Sequence, residues 1–313
     1  MKYRRSPQQA KGAKQATVDI PNEQEMRVTL KRTAHAMHST TTRGIVAYIL
    51  IAFGLAWVLW IPAWLLHLPP TSPLFQGLFL AGACTPALGT IIVRRWITHE
   101  GFADAGLRLH LRSSWPYYLF AGFYPLLLLG GSLLLALVSG FSIRTNVLAD
   151  IVPSYMAYLL MAPFFWGEEF GWRSYLQIRL FHARPLLAAL ATGVIWGVWH
   201  YPAVLAGYLP NEHGPLGVLL YAWYMIPFSI ILGWLRLRTG SIWPPTLAHL
   251  ANNAIGSVLL SALFLSGGQG DLLFSLRGSL VVIPLLILCA WIVLSGQLKP
   301  QRSAFTAGED VKA

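Results

Sequence analysis

Residues 155–173 read YMAYLLMAPFFWGEEFGWR, and this stretch decides how the rest of the chain is interpreted. A run of twelve mostly apolar residues ending at Trp166 is followed by two adjacent carboxylates, Glu168 and Glu169, and then by Arg173. An apolar run of this kind is typical of a membrane-embedded helix. Ionisable side chains in such a helix are costly and usually have a function. The stretch therefore predicts a membrane protein whose chemistry lies around these three charged residues.

The composition of the whole chain agrees with this interpretation. Of its 313 residues, 55% are hydrophobic and 11% are charged, whereas a soluble domain carries about 25% charged residues. The net charge of +11 comes mainly from a basic N-terminal segment and from short loops between apolar segments. Basic residues in those places set the orientation of membrane helices, so we expect a lipid bilayer and not nucleic acid as the partner.

An apolar segment needs about 20 residues to cross a bilayer. The sequence contains eight such segments, at about residues 44–66, 75–93, 116–139, 152–175, 184–206, 215–235, 243–265 and 279–298. With this assignment 21 of the 23 Lys and Arg residues fall on one side, and only Arg144 and Arg277 fall on the other. Positive residues are retained on the cytoplasmic side. We therefore predict an all-α, polytopic bundle of about eight transmembrane helices with both termini in the cytoplasm.

Polar segments flank this bundle. Residues 1–42 are polar and basic and contain no apolar region that could act as a cleavable signal, so we predict a disordered cytoplasmic tail. Residues 43–298 form the membrane domain, and residues 299–313 form a second cytoplasmic tail. This organisation predicts a multi-pass integral membrane protein of the bacterial plasma-membrane type.

Helical spacing separates the two carboxylates. Residues four apart share a helix face, so Glu169 and Arg173 can form an ion pair. Glu168 points about 100° away from Glu169 and has no partner on its own helix. An unpaired carboxylate in an apolar setting suits a general base. The alternative is that all three side chains are solvated at the cytoplasmic end of the fourth span.

Two further spans contain polar residues. The fifth contains Trp196 and, one turn later, His200, so an aromatic ring lines the face of this histidine. The seventh contains His249 and Asn253, which also share a face, whereas Asn252 faces elsewhere and suits a helix contact. The alternatives are a hydrogen-bonded core histidine at His200 and a structural interhelical hydrogen bond at His249 and Asn253.

These groups suit the hydrolysis of an acyl bond. A Glu and a His can hold and deprotonate a water molecule, and a His and an Asn can donate hydrogen bonds to the oxyanion that develops on an attacked carbonyl. Glu168, His200 and His249 could also bind a divalent metal such as zinc, as two imidazoles and a carboxylate with an open position. The residues leave metal-dependent and metal-free chemistry equally open.

The three motifs resemble those of the CPBP family of intramembrane proteases. The matching residues are Glu168-Glu169-x-x-x-Arg173, Trp196-x-x-x-His200 and His249-x-x-x-Asn253, within a core of about residues 155–260. This family includes type II CAAX prenyl endopeptidases and the lysostaphin-resistance and bacteriocin-immunity proteins. One departure is visible: the second motif usually begins with Phe, and Trp196 stands there. We expect this departure to change packing and not activity.

The resemblance implies a role for each motif residue. It implies that Glu168 and His200 activate the nucleophilic water, that His249 and Asn253 stabilise the oxyanion, and that Glu169 and Arg173 organise the site. It also implies a peptide or protein substrate in the membrane, prenylated in the CAAX-processing members and different in the immunity-type members. Both a metalloprotease and a glutamate mechanism are argued for the family.

Two other function classes stay open from sequence alone. A transporter or proton-relay protein also places Glu, Arg and His inside the membrane, but it predicts inverted repeats and broken helices in matching positions. A non-catalytic, immunity-type membrane protein is the other alternative, and it does not require all the polar motif residues that this sequence retains.

Overall fold

The structure, a computed structural model, describes residues 23–140, 143, 146–181, 183–208, 215–264 and 271–298, with side chains for 41–140, 143, 146–181, 183–208, 217–262 and 282–298. Every regular element in these ranges is helical, which confirms the all-α prediction. The α-helices are α1 Glu23–Leu65, α2 Pro73–Ala83, α3 Thr85–Ile92, α4 Leu111–Val138, α5 Ile151–Leu160, α6 Ala162–Gly171, α7 Gln177–Arg179, α8 Pro185–Trp199, α9 Tyr201–Leu205, α10 Pro215–Thr239, α11 Trp243–Phe264 and α12 Asp271–Leu294. Contacts divide the chain into two units, Met1–Thr41 and Thr42–Ala313, and the candidate site described below lies in the second.

Helix α1 begins at Glu23, within the segment for which the sequence predicts a polar tail. Residues 1–22 of that predicted tail, and all of the predicted tail at 299–313, lie outside the described residues.

Fewer helices than predicted are long and apolar enough to cross a membrane. Within the described residues there are four, at Thr41–Leu65, Pro73–Ile97, Leu111–Val138 and Gly217–Thr239, or five with a bent pair. The predicted number of eight is not confirmed. Helix α8 has only 15 residues, and α11, with 22 residues, is interrupted by polar side chains. The apolar helices nevertheless identify an integral membrane protein.

The bent pair contains the stretch with the two carboxylates. Val147–Leu160 and Ala162–Arg179 meet at Met161 with a bend of 63°. Pro163 lies in the first turn of α6, where the missing N–H of proline costs no helical hydrogen bond. The fourth predicted span, 152–175, is therefore broken, and Glu168 and Glu169 lie on the second segment and not on one continuous helix.

A π-helix, Trp172–Leu176, continues α6. A π-turn inserts one residue and displaces the carbonyls from their usual partners. The Ser174 carbonyl accepts a hydrogen bond from Arg94 Nη2 at 3.2 Å. Arg94 is fully buried and also donates to Asp104 at 2.6 Å. The loop between the second and third spans is thereby tied to the segment that carries Arg173.

Helix α8 lies close to α10, and two glycines permit the approach. A Cβ atom on Gly193 would lie 2.8 Å from Ile226 Cα, and one on Gly197 would lie 3.1 Å from Ala222 Cα. Small residues four apart allow membrane helices to pack backbone against backbone. Helix α8 ends at Trp199 because the next residues include Pro202, which has no N–H for the helical ladder. His200 therefore lies at the junction of α8 and α9.

Candidate active site

The predicted site residues come from three parts of the bundle. Glu168 and Glu169 lie at the end of α6 and Arg173 lies in the π-helix that follows. His200 lies between α8 and α9, and α11 carries the other two residues, His249 and Asn253. All except Asn253 are buried, with between 0% and 6% of their surface exposed, and Asn253 is half-buried. The alternative of a solvated cluster at the end of a span therefore does not hold.

Glu169 is the centre of a buried ionic network. Arg173 Nε lies 3.2 Å from Glu169 Oε2, and Arg173 Nη1 donates to Oε1 at 3.3 Å, so the ion pair that helical spacing predicts is present. The Nε contact is close but not aligned as a hydrogen bond, since both of its atoms lack a hydrogen-bond partner. His249 Nδ1 lies 2.9 Å from Glu169 Oε1. Because the charged carboxylate only accepts hydrogen bonds, Nδ1 carries a proton and Nε2 is left for other partners.

Glu168 has a different partner, on another helix. The indole N–H of Trp196, on α8, donates to Glu168 Oε2 at 2.9 Å. No hydrogen bond joins Glu168 Oε1 to another of the described residues. The two neighbouring carboxylates are therefore separated in role: Glu169 is paired with charged groups, and Glu168 keeps one oxygen uncommitted.

His200 is held in one orientation by the backbone. Its Nδ1 lies 3.0 Å from the Trp196 carbonyl oxygen, and a carbonyl only accepts, so Nδ1 carries the proton. The neutral ring then presents an unprotonated Nε2, which can accept a proton or a hydrogen bond. Aromatic rings enclose the imidazole, and the contacting residues are Trp60, Trp196, Trp199, Tyr208 and Tyr221.

Trp196 connects the parts of the site. The Arg173 guanidinium lies over its ring at 4.2 Å, a distance that gives a cation–π interaction. The ring centroid lies 5.0 Å from that of His249, edge to face, and 6.0 Å from that of His200. Glu169 contacts both Arg173 and His249 directly, whereas Glu168 and His200 are joined through Trp196. Helical spacing predicts the aromatic ring beside His200 but not its polar contact with Glu168.

The neighbouring asparagines of α11 differ in environment. Asn252 is buried and accepts a hydrogen bond from the Tyr124 hydroxyl at 3.4 Å, and its amide donates to the Tyr224 hydroxyl. Asn252 is therefore a helix contact, as its position on α11 predicts. Asn253 makes no hydrogen bond to another described residue. Its amide is available to a ligand.

The arrangement does not have the form of a metal site. Among the residues with described side chains, no group of three or more His, Cys, Asp and Glu residues is placed to hold a metal ion. The structure therefore does not bring the three candidate ligands Glu168, His200 and His249 together around one ion.

Comparison with known families agrees with the motif resemblance. Residues 148–255 match the family model described as type II CAAX prenyl endopeptidase Rce1-like. This range covers about a third of the chain and includes all six predicted site residues. No curated protein matches the chain. The match confirms, for residues 148–255, the resemblance that the motifs predict, and it indicates a protease.

Proposed function

We propose that the protein is an intramembrane endopeptidase that hydrolyses a peptide bond with a water molecule activated by Glu168 and His200. The observation that carries the proposal is the arrangement around Trp196. A carboxylate with one uncommitted oxygen and an imidazole with a free Nε2 flank the same indole, inside an otherwise apolar bundle. A general base must lie within hydrogen-bond reach of the proton that it removes, and both groups have an atom available for this.

In the proposed reaction, Glu168 removes a proton from water while His200 Nε2 accepts a hydrogen bond from the second water proton. The water oxygen bonds to the carbonyl carbon of the scissile peptide, and the carbonyl electron pair moves onto its oxygen. The tetrahedral intermediate then collapses, the C–N bond breaks, and Glu168 gives its proton to the leaving nitrogen. Each proposed step uses side chains of this protein only, and the described residues show no group of three metal-binding side chains that would suggest another route.

The oxyanion in this proposal is stabilised by α11. The Asn253 amide can donate to it, and His249 can donate from Nε2 when its ring carries both protons. Glu169 contacts Nδ1 of His249, so this carboxylate holds the ring in place for that role. Hydrogen-bond donors fixed in advance at a developing charge stabilise transition states by several kcal/mol. Arg173 forms an ion pair with the same carboxylate.

We further propose that the substrate is a lipid-linked peptide or protein of the CAAX type, because the matched family model describes CAAX prenyl endopeptidases. An aromatic cluster beside His200 supports this choice: Phe79 and Tyr208, both half-buried, stack at 4.2 Å, and the buried Trp60 stacks on Phe79 at 5.7 Å. Such a cluster suits an apolar chain attached near the scissile bond. The topology that goes with this proposal has both termini in the cytoplasm of a bacterial-type cell, and cysteine accessibility at the two termini tests it.

The proposal is tested by reconstituting the purified protein in liposomes with synthetic C-terminal peptides, one set prenylated and one set not. Mass spectrometry identifies the cleaved bond. We expect cleavage by the wild type, and loss of cleavage in Glu168→Gln and His200→Ala. Glu100→Gln is the matched control, because Glu100 is a partly exposed carboxylate that pairs with Arg179 in the loop between the second and third spans. Cleavage that persists in both site variants contradicts the proposal, and a chelator arm measures metal dependence.

A further inference from the structure

Trp196 contacts four of the six predicted site residues, although it has no role in the proposed reaction steps. Its side chain is completely buried. Its indole N–H binds Glu168 and its carbonyl binds His200, while its ring contacts Arg173 and His249. Related motifs usually have Phe at this place, and Phe has no N–H. The polar contact with Glu168 is therefore a feature that the usual residue cannot provide.

The hydrogen bond limits what the Glu168 carboxylate can do. An indole has one donor, and it is directed at Oε2 at 2.9 Å. A carboxylate on a long side chain samples several rotamers unless it is bound, and a hydrogen bond between buried groups selects one. With Oε2 held, Oε1 becomes the oxygen that can reach a water molecule.

The ring that carries this donor is itself held in place. The Arg173 guanidinium lies over it at 4.2 Å, and Glu169 forms an ion pair with the same guanidinium. The path from Glu169 through Arg173 to the indole explains how a buried ion pair can organise Glu168 without touching it. Gly197, next to Trp196, lets α8 approach α10, which fixes the backbone that presents the indole.

We propose that Trp196 is a positioning residue whose indole N–H orients Glu168 for water activation. This inference rests on the proposed function for its catalytic consequence, but the contact itself can be tested without activity. The relevant substitutions are Trp196→Phe and replacement of Trp196 by β-(3-benzothienyl)alanine. The second analogue keeps the size of the ring and replaces the N–H by sulfur, so it removes only the donor.

The contact is tested by the indole ¹H–¹⁵N spectrum of protein labelled at its 13 tryptophans. The Trp196 resonance is identified by its loss in Trp196→Phe. We expect this resonance to move in Glu168→Ala, while that of Trp199, assigned in the same way, stays in place. Trp199 is the matched control, because it is equally buried and its N–H donates to the Ala52 carbonyl. A Trp196 resonance that does not respond to Glu168→Ala overturns the proposal.

The consequence is tested by steady-state kinetics in the same liposomes. We expect the benzothienyl analogue to lower kcat by about 10- to 100-fold, as expected when a reacting group is misplaced, with KM little changed. Wild-type kcat in that analogue overturns the positioning role and leaves ring packing as the explanation. If the wild type cleaves no peptide, the proposed function fails, and the spectrum still decides whether Trp196 orients Glu168.

Discussion

The ion pair between Glu169 and Arg173 makes a quantitative prediction about stability. Both side chains are completely buried, and Arg173 Nε lies 3.2 Å from Glu169 Oε2. The substitution Arg173→Met keeps much of the side-chain volume but removes the charge. Glu169 then remains buried with His249 as its partner, and the cation over the Trp196 ring is lost.

Removing one partner of a buried pair costs about 3–5 kcal/mol, because the other charge stays without compensation. That cost lowers the ratio of folded to unfolded protein by about two to four orders of magnitude. Replacing both partners by neutral residues of similar shape removes the uncompensated charge and is often close to neutral. We therefore expect Arg173→Met combined with Glu169→Gln to be less destabilised than the sum of the single variants by about 2–3 kcal/mol.

The assay is reversible unfolding in mixed micelles at neutral pH, applied to the wild type, both single variants and the double variant. Arg95→Met is the matched control, because Arg95 is exposed and its loss should change the free energy of unfolding by less than about 0.5 kcal/mol. A double variant whose destabilisation equals the sum of the single variants refutes the coupling. An Arg173→Met protein as stable as the control refutes the buried ion pair itself.

Three further predictions follow from other contacts. The Asp104 carboxyl is partly buried, which raises its pKa, but the hydrogen bond and charge of Arg94 outweigh this effect, so that the pKa lies below its ordinary value. The stabilising contribution of Asp104 is then complete above about pH 4, the ordinary pKa of Asp, and is lost as the pH falls through the lower folded-state pKa. Asp104→Asn should flatten this part of the curve of stability against pH, and a curve like that of the wild type contradicts the prediction. Gly193→Val adds atoms at a place where even a Cβ would lie 2.8 Å from the α10 backbone. We therefore expect overpacking to lower the free energy of unfolding by about 1–3 kcal/mol in the same assay, and a variant as stable as the wild type contradicts the close approach. Asn252→Ala should lower the free energy of unfolding by about 1–3 kcal/mol because it leaves the buried Tyr124 hydroxyl without its partner. Asn253→Ala should instead lower kcat by about 10²- to 10³-fold with little loss of stability, and the reverse pattern would contradict the assignment of Asn253 as the oxyanion donor.

Local spacing was enough to predict part of this site. Glu169 and Arg173 lie on one helical segment, so their pairing depends only on the four-residue separation and survives the change to a π-helix after Gly171. The same holds for Asn252 and Asn253, whose neighbouring positions place them on different faces of α11. Contacts along one helix are determined by helical geometry, which is the same in every protein.

Contacts between helices could not be predicted in this way. The bonds from Trp196 to Glu168 and from His249 to Glu169 depend on how far each helix is rotated about its axis. That rotation is set by packing, here by the close approach of α8 and α10 at Gly193. Hydropathy also does not report the break at Met161, because a bend of 63° leaves the apolar composition on both sides unchanged.

We propose that Glu168 acts in the chemical step and not in binding. The most direct test of this proposal is the rate of a single turnover with saturating peptide, compared between the wild type and Glu168→Gln, which keeps an acceptor oxygen for Trp196. We expect the rate of bond cleavage to fall by at least about 10²- to 10⁴-fold, the usual contribution of a general base, while the amount of bound peptide stays the same. A Glu168→Gln protein that binds peptide and cleaves it at the wild-type rate would contradict the assignment of Glu168 as the base.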